Sequence, residues 1–216
     1  MPDYDRSDSR SGKDSPFDRD TINFYDSNAI PYSAARPEDV TPELVTFLSN
    51  LRPGARILEL GCGSGCDAAE MERLGFDIDA TDGTPAMAAL ASERLGRTVR
   101  VLRFDELHAE ESYDAIVACT SLLHVPNVAL PGILDRIWKA LKPGGWHFAS
   151  YKTAGVEGWD KHQRYYNYLG RHEAERLYGR SGAWASIWCD EYDGVGYFSA
   201  PARWLTVTAQ KESFRQ

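Results

Sequence analysis

Three glycines alternate at Gly61, Gly63 and Gly65, directly behind the run Ile57-Leu58-Glu59-Leu60. Without a Cβ, such a turn lets backbone N–H groups press against a ligand, although it also serves as a tight structural turn. Two acids favour the ligand. Glu59 interrupts an apolar strand end, and Asp82 closes a second strand about twenty residues further on. A carboxylate there can accept both hydroxyls of a ribose, or cap the helix that follows. A dinucleotide fingerprint needs its third glycine at position 66, which is Cys66. A P-loop is excluded because no Gly-Lys-Ser/Thr follows. The pattern therefore fits a ligand with a ribose but no phosphate. His124 ends a later strand-like run, as a general base or as a packing histidine. No Ser/His/Asp or Cys/His set is visible, so no covalent intermediate is expected.

The elements that would position these residues follow from periodicity. Residues Met1 to Asp20 are rich in Asp, Ser, Arg and Gly and predict a disordered polar tail. Order is expected from about Thr21, where Ile22, Phe24, Tyr25, Ile30 and Tyr32 offer apolar surface. Thr41-Pro42-Glu43 supplies an N-cap, a first-turn proline and a first-turn acid for a helix through Leu51. Strands are predicted at Arg56–Leu60, Phe76–Ala80, Val99–Leu102, Tyr113–Ala118 and Trp146–Tyr151. Helices are predicted at Cys66–Leu74, from Thr84-Pro85 to Leu95, and over Leu130–Leu141, with Lys142-Pro143-Gly144-Gly145 turning into the fifth strand. Two last strands, Ala185–Tyr192 and Arg203–Ala209, make an antiparallel hairpin. The alternation predicts an α/β fold, a Rossmann-like three-layer sandwich with a mostly parallel seven-stranded sheet and an antiparallel edge hairpin at the C-terminus.

Composition narrows the partners. The formal net charge is −8, which disfavours nucleic acid and anionic lipid surfaces. The aromatic group Trp184, Trp188, Tyr192, Tyr197, Phe198 and Trp204 is then expected to be edge-sheet core rather than a base-stacking platform. No apolar run approaches membrane-spanning length, and no signal peptide is evident. Cys62, Cys66, Cys119 and Cys189 form no zinc-like pair. A cytoplasmic location and no metal are expected.

Leu58-Glu59-Leu60-Gly61-Cys62-Gly63-Ser64-Gly65 resembles the first motif of the class I S-adenosylmethionine-dependent methyltransferase family. Ala80-Thr81-Asp82-Gly83-Thr84-Pro85-Ala86-Met87 is similar to its second motif, Phe104-Asp105-Glu106-Leu107 to its third loop, and Ala118-Cys119-Thr120-Ser121-Leu122-Leu123-His124 to the loop after strand four. Leu141-Lys142-Pro143-Gly144-Gly145 is similar to a turn frequent in the family. The resemblance runs from about Phe24 to Lys211, and it implies S-adenosylmethionine as cofactor, S-adenosylhomocysteine as product and a small-molecule methyl acceptor. It implies cofactor contacts at Glu59, Gly61, Cys62 (through its backbone), Gly63, Gly65, Gly83 and Thr84, with Asp82 on the ribose. Met87, Phe104 and Asp105 would lie by the adenine, and Cys119 and Thr120 near the methyl end.

Phe24-Tyr25-Asp26-x-x-Ala29-x-x-Tyr32 is similar to the N-terminal lid of small-molecule members, including tellurite-resistance-like proteins. That implies Tyr25, Tyr32 and Arg36 over the cofactor, Arg36 facing its carboxylate. Lys152, Arg164 and Tyr165 become candidate substrate contacts, and His124 the candidate catalytic base. The single domain would divide into lid and helix (21–51), cofactor core (52–151) and substrate side with C-terminal strands (152–216). In-line displacement from a sulfonium needs mainly alignment and exclusion of water. A non-catalytic binding or regulatory protein on the same fold is the alternative.

Overall fold

The computed structural model describes residues 15–35, 40–196 and 200–213. The chain begins with three short helices, α1 (Arg19–Ser27), α2 (Ala29–Ala35) and α3 (Pro42–Leu48). It then alternates through β1 (Arg56–Leu60), α4 (Cys66–Arg73), β2 (Asp77–Asp82), α5 (Pro85–Leu95), β3 (Arg100–Val101), β4 (Tyr113–Ala118) and α6 (Leu130–Ala140). The remainder comprises β5 (Leu141–Lys152), a small hairpin of β6 (Gly158–Trp159) and β7 (Tyr165–Tyr166), α7 (Arg171–Arg180), β8 (Trp184–Val195) and β9 (Pro201–Lys211).

Seven strands form one sheet in the order β3-β2-β1-β4-β5-β9-β8. The first five are parallel, while β9 runs antiparallel to β5 and β8 antiparallel to β9. The expected sheet and edge hairpin are both present. Alternation along each strand feeds two cores. Leu58 and Leu60 of β1 pack with Ile133, Leu134 and Ile137 of α6 and with Leu177 of α7. Ile57, one residue out of phase, packs on the opposite face with Leu44, Phe47, Ala68 and Ala88. Three layers result.

Four details differ from the sequence expectations. The predicted polar tail runs through residue 20, yet Asp18 is buried and caps α1, its Oδ1 accepting from the Thr21 N–H at 2.8 Å. Residues 1–14 lie outside the described residues. The Lys142–Gly145 turn sits inside the start of β5, where the register with β4 shifts and Gly144 has φ +76°. Helix α7 and the β6–β7 hairpin were not anticipated, although Ala174, Leu177 and Tyr178 carry helical spacing and are buried. Finally, Trp188 is half-exposed and stacks on Trp146 at 5.8 Å between ring centroids, whereas Trp204 is buried. Tyr197 and Phe198 lie outside the described residues.

Candidate functional site

Parallel strands that cross over through helices leave a crevice at their C-terminal ends. Here it lies over β1, β2 and β4 and is roofed by α1, and it opens to solvent at the mouth. The glycine turn forms its floor. Gly61 has φ +77°, and a Cβ there would come within 2.5 Å of the Ser121 Cβ. The Ser121 hydroxyl donates to the Leu60 carbonyl at 2.6 Å, tying the loop after β4 to the end of β1.

Asp82 joins the turn to α5. Its Oδ2 accepts from the Gly63 N–H at 2.9 Å, and its Oδ1 accepts from the Thr84 N–H at 2.9 Å and the Thr84 hydroxyl at 2.7 Å. Burial raises the carboxyl above its usual range, opposed by these bonds. A carboxylate offers roughly four acceptor positions, so one remains for a further donor. Met87, Gly83, Phe104 and Asp105 line the same part of the cleft, and Arg103 pairs with Asp105 at 3.1 Å. A ribose acceptor beside an apolar slot fits a nucleoside-bearing cofactor.

Cys119, Thr120, Tyr25, Tyr32 and His124 line the opposite end. Thr120 adopts φ +53°, a left-handed conformation that costs a β-branched residue about 1–3 kcal/mol. The Thr120 N–H donates to the Ser150 Oγ at 2.8 Å, which helps hold it there. His124 Nδ1 faces the Tyr165 carbonyl at 2.6 Å. A carbonyl only accepts, so Nδ1 carries the proton and Nε2 accepts from the Tyr25 hydroxyl at 2.8 Å. Burial, then Arg164 and Lys152, hold His124 well below its ordinary value. Burial, then Tyr32 and Tyr166, push Tyr25 well above its own.

Not every expected residue reaches the cleft. Glu59 and Cys62 are buried next to the turn without lining it. Gly65 also sits behind it: with φ +80°, it takes α5 so close that a Cβ would meet Ala91 at 3.2 Å. Its glycine serves helix packing. Arg36 lies outside the described residues. Arg164 is buried and ion-paired to Asp160 at 2.7 Å, and the Tyr165 hydroxyl donates to Glu157. Lys152 rests on aromatic rings behind His124.

The roof supplies residues that sequence reasoning passed over. Pro16, Phe17, Asp18, Thr21 and Ile22 line the cleft, as do Ser64, Ser121 and Val125. Asp18 Oδ2 accepts from the Trp159 indole at 3.1 Å, and Thr21 Oγ1 accepts from the Tyr165 N–H at 2.7 Å. The capping spacing Asp18-x-x-Thr21 was the readable signal for this end of α1.

Residues 32–202 match the model of the methyltransferase domain family. The chain belongs to this family. A ubiquinone biosynthesis O-methyltransferase from Xanthomonas campestris pv. campestris is 37% identical over 105 residues, which is 45% of this chain and 43% of that protein. One of the same description from Xylella fastidiosa is 31% identical over 130 residues, or 56% of this chain and 52% of that protein. The matched part is about half the length of these curated relatives. Among solved structures, Burkholderia thailandensis 1,6-didemethyltoxoflavin-N1-methyltransferase, with its substrate and S-adenosylhomocysteine bound, is 26% identical. It superposes with a TM-score of 0.62, covering 87% of this chain and 80% of its own. TehB from Haemophilus influenzae shares the fold at a TM-score of 0.65 and 15% identity, over 88% of this chain and 67% of that one. As a member of the methyltransferase domain family, the chain has the Rossmann-like architecture of the S-adenosylmethionine-dependent class. Among the described residues no group of three or more His, Cys, Asp or Glu could hold a metal ion, and no helix is long and apolar enough to cross a membrane.

Proposed function

We propose that this chain uses S-adenosylmethionine to methylate a small molecule by in-line displacement. One observation carries the reading: a single roofed cleft has the Asp82 carboxylate at one end and the Tyr25–His124 pair at the other. When bound, the cofactor supplies a methyl group already activated on a sulfonium. Asp82 would accept from a ribose hydroxyl at its remaining acceptor position, and Met87 and Phe104 would hold the adenine. The backbone at Gly61 and Gly63 would border the chain that leads to the sulfur. Thr120, Cys119 and Tyr32 would surround the methyl end.

The remaining work is alignment and exclusion of water. Helix α1 serves both, because Tyr25 descends from it onto His124 while Ile22, with Phe17 just before the helix, lines the cleft. His124 Nε2 is a neutral acceptor site, so it can orient Tyr25 or take a proton from an acidic acceptor.

Calorimetric titration with S-adenosylhomocysteine tests the cofactor. Release of that product from S-adenosylmethionine, in the presence of phenols, carboxylates and N–H heterocycles, tests the reaction. Failure of the product to bind overturns the proposal.

A further inference from the structure

Lys152 ends β5, and its surroundings bear on the acceptor. Alternate side chains of a strand share a face, so Phe148, Ser150 and Lys152 point the same way. Ser150 Oγ holds the Thr120 N–H, and Thr120 lines the methyl end of the cleft. Lys152 stands two residues further along, about 7 Å at the strand rise. Its ammonium lies 4.5 Å from the centroid of Tyr166 and 5.6 Å from that of Trp204. Tyr166 in turn packs on His124 at 4.7 Å. One stack of rings therefore joins the lysine to the proposed reaction end.

The charges there do not balance. Arg164 brings a second cation, 5.4 Å from the same Tyr166 ring. The neighbouring acid, Asp160, is taken by Arg164 at 2.7 Å. Glu157 is exposed and accepts from the Tyr165 hydroxyl and the Asn127 N–H. Among the described residues, no carboxylate forms an ion pair with Lys152. A half-buried ammonium with no ion-pair partner among the described residues is costly, and the ring faces recover only part of that. Burial, then Arg164, push the Lys152 ammonium below its ordinary value.

We propose that Lys152 is the counter-ion of an anionic acceptor, so that the molecule methylated here is a planar organic acid bound as its anion. The inference rests on the cofactor reading of the preceding subsection and adds the acceptor's charge and shape. Tyr25 and Tyr32 line the cleft with ring faces that suit a planar molecule, and Tyr166 packs behind them on His124. An ammonium acceptor would add a third positive charge beside Lys152 and Arg164, and would face a cationic donor as well. An anion supplies the counter-charge that Lys152 lacks among the described residues. It also leaves His124 to orient the acceptor rather than to take a proton, which its burial and cationic neighbours oppose.

The test uses benzoate, benzamide and benzylamine as matched planar probes, titrated into the full chain saturated with S-adenosylhomocysteine. Benzoate is expected to bind at least about tenfold more tightly than benzamide, a difference of 1.4 kcal/mol, with benzylamine weakest. Lys152→Met should abolish the preference, and Lys152→Arg should retain it. A lysine that merely packs on Tyr166 would leave charge selectivity unchanged in both variants. Equal binding of the three probes, no binding of benzoate, or a preference that survives Lys152→Met overturns the proposal while leaving the cofactor reading intact. If S-adenosylhomocysteine itself fails to bind, both readings fall.

Discussion

The Tyr25 hydroxyl donates to His124 Nε2 at 2.8 Å, joining helix α1 to the loop after β4 across 99 residues of sequence. Because the Tyr165 carbonyl fixes the proton on Nδ1, the imidazole presents a lone pair toward the roof. The pair thus ties the seating of α1 to the protonation state of His124. His124→Asn is expected to lower kcat by roughly 100-fold if the ring handles a proton or orients the acceptor. Tyr25→Phe should lower it less and raise KM for the acceptor, since the ring still packs. Steady-state kinetics measured alongside S-adenosylhomocysteine affinity would check this. An unchanged kcat in His124→Asn would remove the histidine from the reaction.

Beneath the sheet a second histidine has a different consequence. His147 is fully buried, with Nδ1 donating to the Ile116 carbonyl at 2.9 Å and Nε2 accepting from the Tyr178 hydroxyl at 3.0 Å. Burial lowers it from 6.5 to about 4. The folded form therefore resists a proton that the unfolded chain accepts. Its stabilising contribution is full above pH 6.5 and is lost as pH falls from there toward 4, by roughly 3 kcal/mol. His124, also depressed, acts with the same sign. Melting temperature against pH should fall through this window, and His147→Phe should flatten the decline even if it melts lower at pH 8. An identical slope in the variant would assign the acid sensitivity elsewhere.

Asp82 and Gly65 separate ligand binding from packing. Asp82→Ala should weaken S-adenosylhomocysteine binding at least about tenfold, because a buried acceptor for the ribose is gone. Gly65→Ala should cost about 1–3 kcal/mol of stability, through its positive φ and the contact with Ala91. Below its melting transition it should bind with nearly native affinity. Calorimetry and thermal denaturation of the two variants distinguish the roles, and a large affinity loss in Gly65→Ala would place that glycine back among the cofactor contacts.

The roof is held by few bonds. Asp18 caps α1 and accepts from the Trp159 indole, so Asp18→Ala should destabilise the helix by about 1 kcal/mol and free the indole. Faster amide exchange over Arg19–Ser27, with β1 and β4 unaffected, is the expected signature. Equal protection in both proteins would show that Tyr25–His124 and Thr21–Tyr165 suffice to seat the helix.

Local pattern decided a large part of this protein. The glycine turn, the acid ending β2 and the alternation of strand and helix are written in neighbouring residues, and a period of two or of 3.6 needs no distant partner to be read. Those features carried the layered sheet and the Asp82 side of the cleft. Tertiary structure decided the other end. Gly65 was legible as a turn glycine, but only the approach of α5 shows that it serves packing. Asp18 looked like part of a polar tail until Trp159, 141 residues away, supplied its partner. Likewise the Nδ1–H tautomer of His124 depends on a carbonyl 41 residues on, and the seat of the half-exposed Trp188 ring on its stacking partner Trp146. Contacts between remote residues depend on how whole faces close on one another, and no local window of sequence contains both sides.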